Sequence, residues 1–275
     1  MKPHEIEQME VSLLLDAVYR RYGYDFRSYA RASIERRIRH FMCGRKEKRI
    51  SELIPEVIYD EGVFSELARC FSISVTEMFR DPYVYRVLRD KVVPFLKTYP
   101  FVKVWHAGCA TGEEVYSFAI LLKEEGIYGR TSIFATDFND RSLEQARKGI
   151  YSAERMKEFS QNYQDAGGRG SFSEFYHAKY GSVLFNEKLR DRITFANHNL
   201  AGDAGFGEMH LIFCRNVLIY FNTELQNRVL KLFDESLVRG GFLCLGTKET
   251  LDFTELADHY EVVDRESRIY RKKIQ

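Results

Sequence analysis

The stretch "VWHAGCATGEEVYSFAILLKEEG", Val104 to Gly126, starts as a strand and continues as a helix. Two glycines, Gly108 and Gly112, interrupt it, and the helix then opens with Glu113 and Glu114. A loop that leads into a helix N-terminus usually binds an anion, but two carboxylates there repel phosphate. The G-x-x-x-G spacing also differs from the dinucleotide fingerprint and from the phosphate loop. The stretch therefore predicts a site for a cationic or amine-bearing ligand, with Gly108 letting the backbone approach it closely.

The composition indicates a globular protein without a membrane span. A chain of 275 residues that is 45% hydrophobic can bury one large domain or two unequal ones. It contains no long uncharged apolar run, and "MKPHEIEQME" lacks the apolar core of a signal peptide. Five cysteines without a CxxC pair and seven histidines without ligand spacing predict reduced thiols, a cytoplasmic location and no metal site.

The net charge of +1 is unevenly distributed. Between Arg20 and Arg49, eleven Lys and Arg residues face three acidic residues, so this segment carries +8. The totals of 41 and 40 then leave 30 basic and 37 acidic residues, or −7, for the rest of the chain. This asymmetry predicts an acidic partner for the basic segment, and a solvated helix face is the alternative.

Residues 1–75 are predicted to form a small, basic, all-helical domain that docks the substrate. Ala30, Ile34, Ile38 and Phe41 recur at helical spacing and predict an apolar stripe that ends near Gly44. The arginines of the segment are expected to point outward into solvent, where their combined charge would attract the partner. They are Arg27, Arg31, Arg36, Arg37 and Arg39.

Residues 76–275 alternate between strand-like and helical patterns, which predicts an α/β domain with a mainly parallel, Rossmann-like sheet. Strands are predicted at 102–105, 132–136, 193–196, 211–214 and 242–246, and helices at 114–125, 142–148 and 225–238. The end of the chain, "YEVVDRESRIYRKK", predicts an antiparallel strand pair. A segment at about 161–187, rich in glycine and then in aromatic residues, interrupts the alternation; it predicts a small inserted β subdomain or a variable surface loop.

Asp137 closes the strand after the glycine loop, in "IFATD". An acid at the end of that strand is placed to accept hydrogen bonds from ribose hydroxyls, although it is also a common cap. A ligand with a ribose and a positive charge but no phosphate is S-adenosylmethionine.

Five motifs resemble those of the CheR-type chemotaxis receptor methyltransferases, which methylate glutamate side chains. They are "SISVTEMFRDP", "WHAGCATGEE", "FATDFNDRSLEQARKGIY", "NHNL" and "FCRNVLIYF", and they occur in order along most of the chain. The resemblance implies a cytoplasmic enzyme that uses S-adenosyl-L-methionine, releases S-adenosyl-L-homocysteine and acts on acidic chemoreceptor helices. It also implies that the inserted subdomain can hold a receptor-tethered peptide.

The resemblance assigns roles by position. Thr76 and Arg80 would reach the cofactor from the interdomain linker, Glu114 would lie near its methionine or ribose part, and Asp137 would hold the ribose. The pairs Asn199–Leu200 and Asn216–Val217 would line the adenine and methionine sides; as an alternative, both asparagines could be turn residues.

Arg80 and Tyr220 are the candidates for steering the incoming carboxylate. A glutamate is already ionised at neutral pH, so methyl transfer to it needs alignment rather than a general base. Tyr220 lies in an apolar run and could instead be a core residue, and Arg80 could be a surface ion-pair partner.

Three positions depart from the family pattern. Ser74 stands where Asn is common, Val115 replaces a Pro, and "GTKE" at 246–249 replaces a His-Ser-Glu-like run. These departures bear on cofactor affinity and substrate geometry.

Three other functions compete with this interpretation. A nucleic-acid methyltransferase would suit the basic segment, but "NVLIY" lacks the double proline of enzymes that act on exocyclic amines. An adaptor that binds S-adenosylmethionine or its product without turnover would need the same binding residues. A NAD-dependent dehydrogenase is disfavoured by the glycine spacing.

Overall fold

The computed structural model describes residues 1–71 and 76–274. The described chain divides into two compact units, one containing 1–71, 199–204 and 218–229 and the other containing 76–198, 205–217 and 230–274. Ser74, one of the departures noted above, lies outside the described residues.

The first unit is built from four helices at the N-terminus. They are α1 (Pro3–Tyr22), α2 (Arg31–Met42), α3 (Leu53–Tyr59) and α4 (Glu61–Phe71). The predicted stripe on α2 is confirmed, because Ile34, Ile38 and Phe41 are buried and α2 packs against α4. The helix ends at Met42, two residues before Gly44.

A segment from much later in the sequence belongs to this helical unit. Tyr29 and Phe221 form an isolated antiparallel bridge, and their rings make an edge contact with centroids 4.9 Å apart. The Ala30 N–H donates to the Tyr220 carbonyl at 2.8 Å. Tyr220 was predicted within the catalytic segment 76–275, so the helical unit is not continuous in sequence.

The second unit holds the strands. Its helices are α5 (Pro82–Val87), α6 (Val93–Leu96), α7 (Glu113–Glu124), α8 (Asp140–Lys148), α9 (Met156–Asp165) and the second half of α10 (Thr223–Ser236). Its strands are β1 (Val102–Ala107), β2 (Thr131–Asp137), β3 (Ile150–Ser152), β4 (Tyr176–Lys179), β5 (Ser182–Phe185), β6 (Ile193–Asn197), β7 (Met209–Cys214), β8 (Leu237–Leu245), β9 (Tyr260–Asp264) and β10 (Ile269–Lys272).

The large sheet has the strand order β6-β2-β1-β7-β8-β10-β9. The first five strands are parallel, and β10 pairs antiparallel with both β8 and β9. The predicted Rossmann-like fold with an antiparallel C-terminal pair is thus confirmed. The strand order reverses between β1 and β7, and in open sheets of this kind ligands bind at that point, beyond the carboxyl ends of the strands.

A second, three-stranded antiparallel sheet has the order β3-β5-β4. It draws its third strand from Ile150–Ser152, ahead of the predicted insertion at 161–187, and the insertion's first residues instead continue helix α9. Val183 and Phe185 of β5 are buried in the main core of the second unit, while the neighbouring Leu184 is exposed. The small sheet therefore has one packed face and one open face.

Within residues 1–71 and 76–274, no helix combines the length and the apolar character needed to cross a membrane.

Candidate cofactor and substrate site

The glycine loop between β1 and α7 is fastened to the end of β2. The N–H groups of Gly108 and Cys109 both donate to the Thr136 carbonyl, at 2.8 and 2.9 Å. Gly108 has a φ of +79°, and a Cβ on it would lie 2.5 Å from Cγ2 of Val217. Only glycine fits here, and the loop packs directly on the Asn216–Val217 motif, as two parts of one site should.

The second glycine fixes where α7 begins. Gly112 has a φ of +91°, and a Cβ on it would lie 2.9 Å from the Ala146 Cβ. The Tyr151 hydroxyl donates to the Thr111 carbonyl at 2.7 Å and secures the last turn of the loop. The first turn of α7 is consequently held against α8, with little freedom to shift.

Asp137 is buried, and its carboxylate organises the loop. Oδ2 accepts the Ala110 N–H and Oδ1 accepts the Asn139 N–H, both at 2.9 Å. Burial raises the pKa of Asp137, and the backbone hydrogen bonds from Asn139 and Ala110 oppose that rise. Each oxygen keeps a lone pair, so the group can accept further hydrogen bonds from ligand hydroxyls.

Glu113 and Glu114, the two acids at the start of α7, have different surroundings. The Glu113 side chain is buried, with Oε2 accepting the Thr111 hydroxyl at 2.6 Å and Oε1 lying 3.9 Å from Arg155. Burial raises the pKa of Glu113 to about 7, against an ordinary value of 4.5. The raised pKa weakens the contribution of Glu113 to the expected repulsion of phosphate, which then comes mainly from Glu114.

Glu113→Gln should change the pH dependence of stability. Between pH 4.5 and about pH 7 the folded protein binds more protons at Glu113 than the unfolded chain does, so this carboxyl lowers stability as pH rises. The free energy of unfolding of E113Q, relative to the parent, should therefore increase across that window and level off above it. Denaturant unfolding at several pH values checks this. A difference that does not vary with pH would mean that Glu113 ionises normally.

Glu114 is the ionised acid of the site. Its Oε1 lies 3.1 Å from Nδ1 of His106, and its Oε2 accepts a hydrogen bond from Nη1 of Arg215 at 3.1 Å. Burial alone would raise the pKa of Glu114, but the His106 hydrogen bond and the Arg215 charge together hold it below its ordinary value. A negative charge thus stands at the head of α7.

Thr76 and Arg80 lie on the segment that precedes α5. The Thr76 carbonyl accepts a hydrogen bond from Arg155 at 3.0 Å. The Arg80 carbonyl accepts one from Arg215 at 3.3 Å, while among the described residues the Arg80 guanidinium has no hydrogen bond or ion pair. Arg80 is half-buried, and its positive charge opposes the rise that burial causes in the pKa of Glu77.

The Asn216–Val217 turn is clamped by Glu249. The buried Glu249 carboxylate accepts the N–H groups of Asn216, Val217 and Gly246 at 3.0, 2.8 and 2.6 Å. Asn216 has a φ of +60°, a conformation that costs energy for a residue with a side chain. The substituted "GTKE" run therefore keeps the acid that supports this motif.

The pair Asn199–Leu200 and Tyr220 belong to the helical unit. Asn199 is a turn residue, because its Oδ1 accepts the Ala201 N–H at 3.0 Å and its own N–H donates to Asp203. Tyr220 is half-buried, with the Arg37 guanidinium 5.3 Å from the centre of its ring. The structure thus brings Gly108, Glu114, Asp137 and Asn216–Val217 together in one unit and places these other three in another.

Sequence reasoning missed three residues that support the site: His106, Arg215 and Glu249. The available signal was charge or polarity within buried strands, since His106 lies in β1 and Arg215 follows the apolar "LIFC" of β7. The partners of Arg215 and Glu249 are distant in sequence, so spacing could not identify these two residues.

The donor set fits a nucleoside that carries positive charge. Asp137 is oriented by two backbone amides and can accept ribose hydroxyls, and the ionised Glu114 suits an ammonium or sulfonium group. The fold and this site define the class of S-adenosylmethionine-dependent methyltransferases.

Two family models match the chain, "CheR methyltransferase, SAM binding domain" over residues 74–269 and "CheR methyltransferase, all-alpha domain" over residues 9–72. The chain belongs to the CheR methyltransferase family, and its cofactor is S-adenosyl-L-methionine.

Several relatives align over most of their length. A Pseudomonas putida protein named Cher3 is 51% identical over 264 residues, which cover 96% of this chain and 97% of the relative. A chemotaxis protein methyltransferase of Vibrio parahaemolyticus is 32% identical, with 78% of each chain covered. One of Listeria innocua is 31% identical, with 85% of this chain and 87% of the relative covered.

Proposed function

We propose that this methyltransferase transfers a methyl group to glutamate side chains of chemoreceptors, in the cytoplasm, and thereby takes part in chemosensory adaptation. The observation that carries the proposal is that Arg215 bonds both to the ionised Glu114 carboxylate and to the backbone carbonyl of Arg80, whose guanidinium has no hydrogen bond or ion pair among the described residues. The carboxylate suits a cationic cofactor, and the guanidinium suits an anionic acceptor. Relatives named chemotaxis protein methyltransferases support the chemotactic role.

S-adenosylmethionine supplies an activated methyl group on a sulfonium. In this proposal Glu114 and Asp137 bind and orient the cofactor, while Thr76 and Asn216–Val217 line its remaining surface. Arg80 steers the acceptor carboxylate without pairing with it so tightly that the oxygen loses nucleophilicity. Catalysis comes mainly from alignment.

Methyl transfer from tritiated S-adenosylmethionine to receptor-bearing membranes tests the proposal. We expect label on the receptor that mild base releases, as it does from methyl esters. Tight cofactor binding without incorporation would favour the adaptor alternative, and label in nucleic acid would favour a nucleic-acid methyltransferase.

Fewer arginines of α2 are solvated and unpaired than the sequence predicted. Arg37 is half-buried and donates to the carbonyls of Cys70 and Phe71 at 2.7 and 3.0 Å, so it is wrong to count it as solvated. Arg31 and Arg39 form ion pairs, both of them with Glu35. These contacts reduce the outward positive charge of α2, because paired arginines are already partly neutralised.

Arg36 is the residue of α2 best suited to attract an acidic receptor. It is exposed, and among the described residues its guanidinium has no ion pair. Arg36→Glu should raise the receptor concentration needed for half-maximal rate several-fold and flatten its salt dependence, with kcat unchanged. Arg20→Glu on α1 is the matched control, since Arg20 is equally basic and exposed but already paired with Asp16. Equal effects of both variants would mean that the net charge of the helical unit, and not Arg36 in particular, attracts the receptor.

The open face of the small sheet is the proposed site for a receptor-tethered peptide. Ile150, Leu184 and His177 lie side by side across its three strands, and the first two are 44% and 39% exposed. Exposed apolar side chains beside an outer strand of a sheet can help to bind an extended peptide as an added strand.

Leu184→Glu should weaken receptor capture without touching the cofactor. We expect a higher receptor concentration at half-maximal rate, with unchanged S-adenosylhomocysteine affinity, because Leu184 points away from the buried core. Tyr180→Ser in the adjoining turn, where Tyr180 is 91% exposed, serves as the control. Loss of cofactor affinity in L184E would mean that this sheet supports the structure of the cofactor-binding unit and does not bind a peptide. Deleting the sheet is not a usable test, because Val183 and Phe185 belong to the core.

A further inference from the structure

Arg215 is a buried cation at the point where three parts of the second unit meet. Its side chain is only 2% exposed, although it directly precedes the Asn216–Val217 motif. Its guanidinium donates to the Arg80 carbonyl at 3.3 Å, to Oδ2 of Asp81 at 2.6 Å and to Oε2 of Glu114 at 3.1 Å. One planar group therefore holds the start of α7 and the segment before α5 at a fixed separation.

The backbone around Arg80 depends on such support. Phe79 has a φ of +52° and Asp81 has a φ of +54°, so Arg80 lies between two residues in the left-handed region. Such a conformation is unfavourable for a residue with a side chain and persists only where the surroundings enforce it. The Arg215 bonds to the Arg80 carbonyl and the Asp81 carboxylate enforce it on the side that faces Glu114.

The Arg215 guanidinium is shared by two carboxylates. Asp81 and Glu114 are both within hydrogen-bond distance of Arg215, so one buried guanidinium serves two carboxylates. The other oxygen of Glu114 lies 3.1 Å from Nδ1 of His106, so buried side chains hold both oxygens of this carboxylate. A lysine would keep the charge of Arg215 but, as a point charge, would not reproduce three bonds from one rigid plane.

We propose that Arg215 is a positioning residue that sets the Arg80 guanidinium relative to Glu114, and so aligns the acceptor carboxylate with the bound cofactor. The part of this inference that concerns Arg80 rests on the proposed function. The part that concerns Glu114 rests only on the identity of the cofactor.

Arg215→Lys in the full chain tests the proposal. We expect kcat for methyl transfer to a chemoreceptor cytoplasmic fragment to fall at least tenfold, and S-adenosylhomocysteine affinity to fall severalfold. The matched control is Arg89→Lys, because Arg89 is also buried, bonds to Glu124 and Glu125, and donates to a backbone carbonyl. R89K should lower thermal stability by a similar amount but leave kcat and product affinity at parental values.

Double mutants separate a positioning role from a merely structural one. If Arg215 acts through Arg80, adding R215K to Arg80→Ala should cost little further kcat, because the group to be positioned is already missing. Fully additive losses, or parental kcat in R215K, would overturn the proposal.

The contact between Arg215 and Glu114 can be tested independently of turnover, by measuring product binding. R215K and Glu114→Gln should weaken S-adenosylhomocysteine binding non-additively in calorimetry, whatever the acceptor is. If Arg80→Ala keeps parental turnover, the role of Arg80 in the proposed function is wrong. The calorimetry then decides separately whether Arg215 acts through Glu114: non-additive losses of affinity support this, and additive losses overturn it.

Discussion

Arg80→Ala should lower kcat for receptor methylation by about 100-fold, because misplacing a reacting group by about 1 Å can cost that much. In this structure Arg80 is half-buried, its flanking residues adopt positive φ, and its guanidinium has no ion pair among the described residues. We expect a group held in this way to serve a ligand rather than the fold. The receptor concentration at half-maximal rate should rise as well, since the guanidinium attracts the acceptor carboxylate.

Steady-state methyl transfer at saturating cofactor measures this effect. Arg86→Ala is the matched control, because Arg86 is an exposed arginine on the adjoining helix α5. Arg80→Lys should fall between the parent and the alanine variant, since it keeps the charge but loses the planar geometry. Parental kcat in R80A would remove Arg80 from the catalytic apparatus.

Asp137→Ala should weaken S-adenosylhomocysteine binding by about 10- to 150-fold. A hydrogen bond to a charged group contributes about 1.5–3 kcal/mol, and each 1.4 kcal/mol corresponds to about tenfold. The variant also leaves the N–H groups of Ala110 and Asn139 without their acceptor, so the glycine loop should lose order.

Calorimetry on chelator-treated protein checks both this prediction and the expectation of metal-free binding by the parent. Asp140→Ala is the control: Asp140 is an exposed acid on α8 that accepts a hydrogen bond from Asn197 at 2.9 Å. D140A should bind like the parent. Unchanged affinity in D137A would mean that Asp137 only caps the loop.

The sheet could be predicted from the sequence because apolar strands alternate with amphipathic helices over long runs. The positions of Gly108 after β1 and of Asp137 at the end of β2 could also be predicted, since strand ends and glycine breaks are local signals. Strand β3 could not, because three residues at 150–152 carry no measurable periodicity. It pairs with β5 more than thirty residues away, a contact set by the tertiary fold.

The errors concern charged side chains. Glu113 and Glu114 look equivalent in sequence, yet neighbouring positions on a helix face different directions, and only Glu114 meets Arg215. Arg37 resembles the other arginines of α2, yet it caps the end of α4. Whether a charge is solvated or paired depends on residues far along the chain, which local patterns do not reveal.

Mapping the transferred methyl group tests the central claim most directly. A chemoreceptor cytoplasmic fragment is incubated with the full chain and S-adenosylmethionine, with R80A in parallel, and then analysed by peptide mass spectrometry before and after mild base. The account predicts single methyl groups on glutamate side chains, removed by base and much reduced with R80A. Cofactor binding with no methylated peptide, or methyl groups that survive base, would contradict it.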